Sequence, residues 1–174
     1  WRTRADAGSV SIAPETALWF LPFALVIGVW VAWNDMAFMK IPNKAVVALF
    51  GVFVVVGPLA LPLEDYLWRY AQFGVVLAVG FVLSSVRAVG AGDAKFAAVM
   101  APFIDMGDFQ LFLVLFATVL VAAFATHRAM RAVPAVRSAF PGWESWERRD
   151  FPMGLALGTG LIFYIALGVL YGQS

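Results

Sequence analysis

The chain has 174 residues, 63% of them hydrophobic and 13% charged, with a formal net charge of +1 and no cysteine. A mean hydropathy of +0.86 is far above that of a soluble globular domain. The lack of cysteine excludes a disulfide framework, a zinc knuckle and a thiol nucleophile. The total charge says little, but its distribution along the chain says more.

The first fifteen residues, WRTRADAGSVSIAPE, have no apolar core, so no cleavable signal peptide is expected there. Residue 1 is Trp1 rather than Met, so the sequence leaves room for a preceding segment. A bilayer core about 30 Å thick needs about 20 apolar residues as helix. Uncharged runs of that order lie at 16–34, 45–63, 70–86, 109–126 and 151–174. A sixth run, 88–104, qualifies if Asp93 and Lys95 are counted inside it. The expectation is an all-α, polytopic membrane protein of six transmembrane helices, forming a single domain over 1–174. A soluble core buries one or two such helices, but too few polar residues remain here to cover five or six.

Orientation follows from the basic residues. With the turn at 35–44 set in the cytoplasm, Lys40, Lys44, Arg87, Lys95, Arg128, Arg131, Arg137, Arg148 and Arg149 share that side. Only Arg2, Arg4 and Arg69 fall outside, a clear positive-inside bias. Both termini then lie outside, and Glu64, Asp65, Asp105 and Asp108 fall in outer turns. Asp35, where span 1 leaves the membrane, and Asp93, where span 4 begins, come to the same cytoplasmic face.

An ionisable residue within a span is costly and faces protein or a watery cavity. Locally, Asp93 reads either as a structural partner of Lys95 or as a functional acid. Gly90 and Gly92 just before it allow positive φ or close approach by another backbone. In the turn NDMAFMKIPNKAVV (34–47), Asn43 is expected to cap the second helix after Pro42. Asp105 and Asp108 form a rival acid pair, read as a solvated outer turn. No histidine or cysteine beside them completes a transition-metal set.

The 127–150 segment, HRAMRAVPAVRSAFPGWESWERRD, interleaves arginines with Phe140, Trp143 and Trp146. It reads as a basic, aromatic cytoplasmic loop at the membrane surface, with aromatics at headgroup level and arginines towards anionic lipid. Its place between two spans argues against nucleic acid, and substrate docking is a second possibility. His127 reads as a span-end residue, and Ser84 and Ser85 as helix-packing residues without a base. Gly154-x-x-x-Gly158 permits close helix contact, internal or between subunits; the oligomeric state stays open.

Asp35 followed by Ile41-Pro42-Asn43, then Gly90-Ala91-Gly92-Asp93-Ala94-Lys95 two spans later, closely resembles the type IV prepilin peptidases, membrane aspartic proteases of the G-x-G-D class. FPMGLALGTGL (151–161) looks like that family's Pro-x-Gly segment. The resemblance implies catalytic aspartates at Asp35 and Asp93, with Gly90, Gly92, Lys95, Pro42 and Asn43 in support, and no cofactor or metal. It implies removal of prepilin leaders at the cytoplasmic boundary of the bacterial inner membrane. With no cysteine and no room for the methyltransferase domain of larger members, the chain is similar to the short branch that serves tight-adherence, Flp-type pili. The dyad chemistry is general acid–base: one carboxylate activates water and the other protonates the scissile carbonyl oxygen and the leaving amine. A preflagellin peptidase shares that logic. A proton-relay transporter or a non-enzymatic secretion scaffold is the alternative outside proteolysis.

Overall fold

The computed structural model describes residues 10–173. Trp1, Arg2 and Arg4 lie outside the described residues, as does Ser174 at the end of the last expected span. The elements are α1 (Pro14–Phe38), α2 (Asn43–Ala60), α3 (Leu63–Ser85), α4 (Ala91–Met100), α5 (Phe109–Ala132), α6 (Pro134–Ala139) and α7 (Met153–Tyr171). The extended pairing among the described residues is a single bridge between Val10 and Gly172. The protein is all-α and polytopic: α1, α2, α3, α5 and α7 are each long and apolar enough to cross a bilayer.

The expected sixth span takes another form. α4 has ten residues and continues into a 3-10 turn, Ala101–Phe103. At about 1.5 Å per α-helical and about 2 Å per 3-10 residue, the two reach about 21 Å, short of the bilayer core. Pro102 explains the break, since in a continuing α-helix its ring would clash with the carbonyl of residue 98. α4 still runs antiparallel along most of α3. A Cβ on Gly80 would stand 3.0 Å from the Ala94 Cβ, and Arg69 Nη1 donates to the Pro102 carbonyl at 2.8 Å.

The centre of the bundle is α1 against α7. α1 buries Ala17, Phe20, Ala24, Ile27, Gly28, Val31 and Asp35, a stripe at spacings of three and four. α7 answers with Gly154, Leu157, Gly158, Leu161, Ile165 and Gly168. The backbones meet at Gly28, where a Cβ would come within 2.8 Å of the Gly158 carbonyl oxygen. The Gly154-x-x-x-Gly158 pattern thus serves an internal helix contact. Phe20, Phe53 and Phe103 join α1, α2 and the turn after α4, with ring centroids 4.8 and 5.8 Å apart.

Successive long helices alternate in direction, so their ends gather in two places. One end holds the C-termini of α1, α3 and α5 and the N-termini of α2, α4 and α7. The other end holds residues 10–13, 60–63, 104–108 and 171–173, tied by bonds such as Thr16 Oγ1 to the Ala60 carbonyl at 2.7 Å and Gln173 N to the Val10 carbonyl at 2.9 Å.

The acids at this second end depart from the sequence reading. Asp108 is 2% exposed rather than solvated. It accepts from the Ser11 N–H at 2.7 Å, the Ile12 N–H at 3.1 Å and the Tyr164 hydroxyl at 2.8 Å. Asp105 pairs with Arg69 at 2.9 Å. These two acids tie the end of the bundle together.

Candidate active site

Asp35 sits in the last turn of α1, on the same buried stripe as Ile27 and Val31. The periodicity that packs α1 on α7 therefore turns this carboxylate inward. It is 5% exposed, and its Oδ2 accepts the Gly154 N–H at 2.6 Å. That N–H belongs to the first turn of α7, where donors have no partner within their own helix and the macrodipole favours negative charge. Only glycine fits there, since a Cβ on Gly154 would stand 2.8 Å from the Asp35 Cβ.

Two residues that sequence reasoning did not single out, Met39 and Asn34, help to hold the turn after Asp35. Met39 ends α1 in the left-handed region, φ 50°, with its N–H on the Asp35 carbonyl. Asn34 Nδ2 donates to the Lys40 carbonyl at 2.7 Å. Pro42, in extended conformation, is the residue that precedes α2. Asn43 does not cap that helix as expected: it is already the first helical residue, one position too late, and its side chain makes no capping bond.

Asp93 is the third residue of α4, and its carboxylate folds back towards Gly90, the residue before the helix. That is the acid's half of a capping box. The two glycines differ in what they do. Gly90 has φ −63°, so backbone freedom is not its role. Among the described residues, positive φ belongs to Met39 and Arg87 and to no glycine. Gly90 is needed for space, because a Cβ there would lie 2.5 Å from Asp93 Oδ2. A Cβ on Gly92 would meet Ile41 at an ordinary 3.6 Å.

The two carboxylates open on one cavity of about 850 Å³, whose lining includes Asp35, Asp93, Gly90, Gly92, Lys95 and Asn43. Lys95 lines the cavity but forms no ion pair with Asp93; the ion pair among the described residues is Arg69–Asp105. The structural Asp93–Lys95 pair, open from sequence, is therefore not made. Arg148 and Asp150, from the segment before α7, and Met153, its first residue, line the same cavity; the sequence reading gave them no part in the site. Ser84 also lines it, while exposed Ser85 bonds back to the Phe81 carbonyl at 2.8 Å. Neither serine is a buried helix-packing residue.

The 127–150 segment folds onto this end more closely than expected. Trp143 packs on Trp33 of α1 with centroids 5.0 Å apart, and Phe140 stacks on Trp143 at 4.4 Å. His127, buried at 3% exposure, stacks on Trp146 at 5.4 Å. The aromatics thus stack on one another and on α1 and α5. Arg128, Arg137, Arg148 and Arg149 stay exposed.

The arrangement brings together two acids from different helices, a buried donor for one of them, and a polar cavity at one end of an apolar bundle. Comparison with curated proteins and with solved structures gave no match. A family comparison did: the type IV leader peptidase family matches residues 18–126, which is more than half of the chain and contains both Asp35 and Asp93, though not Gly154. The chain belongs to the type IV leader peptidase family.

Proposed function

We propose that this protein is an aspartic endopeptidase that removes the leader from a prepilin, with Asp35 and Asp93 as its catalytic pair. The observation that carries the reading is their convergence on one cavity from two helices, although the acids lie 58 positions apart in the chain. In the mechanism, one ionised carboxylate takes a proton from the attacking water. The other, protonated, donates to the carbonyl oxygen and then to the leaving amine. Two such neighbours hold one proton between them more readily than none, so the pair titrates as a unit. Gly154 orients Asp35, while Gly90 leaves room for the Asp93 carboxylate. Lys95, Pro42 and Asn43 act in support.

The substrate is a pilin precursor whose basic leader precedes a hydrophobic helix, cut at the cytoplasmic face of the inner membrane. The excess of basic residues at the dyad end supports that orientation. The resemblance of its motifs to the tight-adherence branch makes a Flp-type pilin precursor the substrate to try first. The exposed arginines around 128–149 rest on anionic lipid headgroups. The test is cleavage of a purified pilin precursor by the reconstituted protein, followed by mass. Leader loss with the native chain and none with Asp35→Asn or Asp93→Asn supports the reading; normal processing by either variant defeats it.

A further inference from the structure

The surface along α4 changes character within one turn. Its start, at Gly92, Asp93 and Lys95, faces the polar cavity. From Ala97 to Ala101 it floors a second cavity of about 630 Å³ that is almost wholly apolar. Gln72 and Val76 of α3 form one wall, and Leu113 and Phe116 of α5 the other. The cleft exists because α3 packs mainly on α4 while α5 packs mainly on α7. Ala97 and Ala101 are the small residues of a floor that also includes Met100 and Ile104.

Two observations say what fits there. The cleft and the catalytic cavity lie along the same helix with no lining residue in common, and Ala97 is about 6 Å of helical rise beyond Asp93. A peptide held at the two acids therefore runs into it after about one turn. The other observation is polar: Gln72 Oε1 is buried with no hydrogen-bond partner among the described residues. In an apolar medium that acceptor needs a donor. A peptide helix brings donors on its side chains and at its N-terminal turn; an acyl chain brings none.

We infer that the cleft between α3 and α5, floored by α4, seats the hydrophobic helix of the pilin precursor, so that the cut falls where that helix begins. The inference rests on the peptidase reading above.

The chain has no cysteine, so single cysteines report cleanly. The test uses the full chain in membranes, as Asp93→Asn to keep the precursor whole. Val76→Cys or Leu113→Cys is oxidised against a pilin precursor carrying one cysteine stepped along its hydrophobic segment. Val47→Cys, on an exposed face of α2, is the control. Disulfides recurring every three to four precursor positions at Val76 and Leu113, and absent at Val47, are expected. Equal crosslinking at Val47, or crosslinks only between two copies of the protease, would overturn the inference. A kinetic arm uses Ala97→Trp and the more exposed Val75→Trp in the otherwise native chain. Each is expected to raise KM for the whole precursor tenfold or more. A short peptide spanning only leader and cut site should be processed as by the native protein. An unchanged KM for the whole precursor in both variants, or equal loss on both substrates, rejects the cleft as the seat. A native protein that cleaves neither substrate defeats the peptidase reading itself, and this inference with it.

Discussion

Asp105 and Asp108 at one end of the bundle, and Asp35 and Asp93 at the other, are pairs of acids in similar apolar surroundings, yet they are supplied differently. Asp108 receives two backbone N–H groups and the Tyr164 hydroxyl, and Asp105 receives Arg69. Asp35 receives the Gly154 N–H, and it shares with Asp93 the lining of an open cavity. Lone pairs taken by fixed donors hold helices together. Lone pairs facing a cavity remain for water and substrate. Two aspartates near a membrane boundary therefore mean opposite things according to how many protein donors reach them.

That contrast is broken first by substitution of the acids. Asp35→Asn and Asp93→Asn should each lower leader cleavage by about 10²–10⁴-fold, the scale of general acid–base catalysis, with thermal stability in detergent little changed. Asp108→Ala should do the reverse. It strands buried donors at about 1–3 kcal/mol each, so unfolding should fall by about 3 kcal/mol or more while the fraction that remains folded still cleaves. Gly154→Ala lies between the two. Its added methyl displaces Asp35, with a stability loss of about 1–3 kcal/mol for overpacking and a drop in kcat of about tenfold or more. A Gly154→Ala protein with native kcat would show that this contact does not position the acid. The smallest effect belongs to Gly92→Ala. Its Cβ finds ordinary contact with Ile41, so melting should move by less than about 1 kcal/mol, whereas Gly90→Ala makes the Asp93 carboxylate turn away and should lower cleavage more than stability.

Much of the site was legible because it follows from short-range periodicity. Hydrophobic length alone located the five long helices, and the two complete spans between them put Asp35 and Asp93 at one end. The stripe from Ala17 through Val31 reaches Asp35 in helical register, so its inward orientation was written in α1. What escaped the sequence depends on distant partners. The donors to Asp108 come from residues 96 and 97 positions away in the chain, so a buried tie looked like a wet turn. Gly154 was visible as a small residue for helix packing, but its role as donor to Asp35 arises from an α1–α7 pairing across 119 positions. The short form of the fourth crossing was signalled by Pro102, which a count of apolar residues does not weigh. Asn43 was displaced by one position, the ordinary uncertainty of a helix boundary.

The pairing of α1 with α7 also sets an order in time. The ribosome delivers Asp35 early and its donor, Gly154, last among the long helices. Until α7 inserts, the carboxylate lacks its buried partner and α1 lacks the face that meets Ala17 and Gly28. Contacts so distant in sequence close slowly. Centre and site are thus completed by one late event, and a nascent chain paused before residue 153 holds both acids but not the arrangement that orients Asp35.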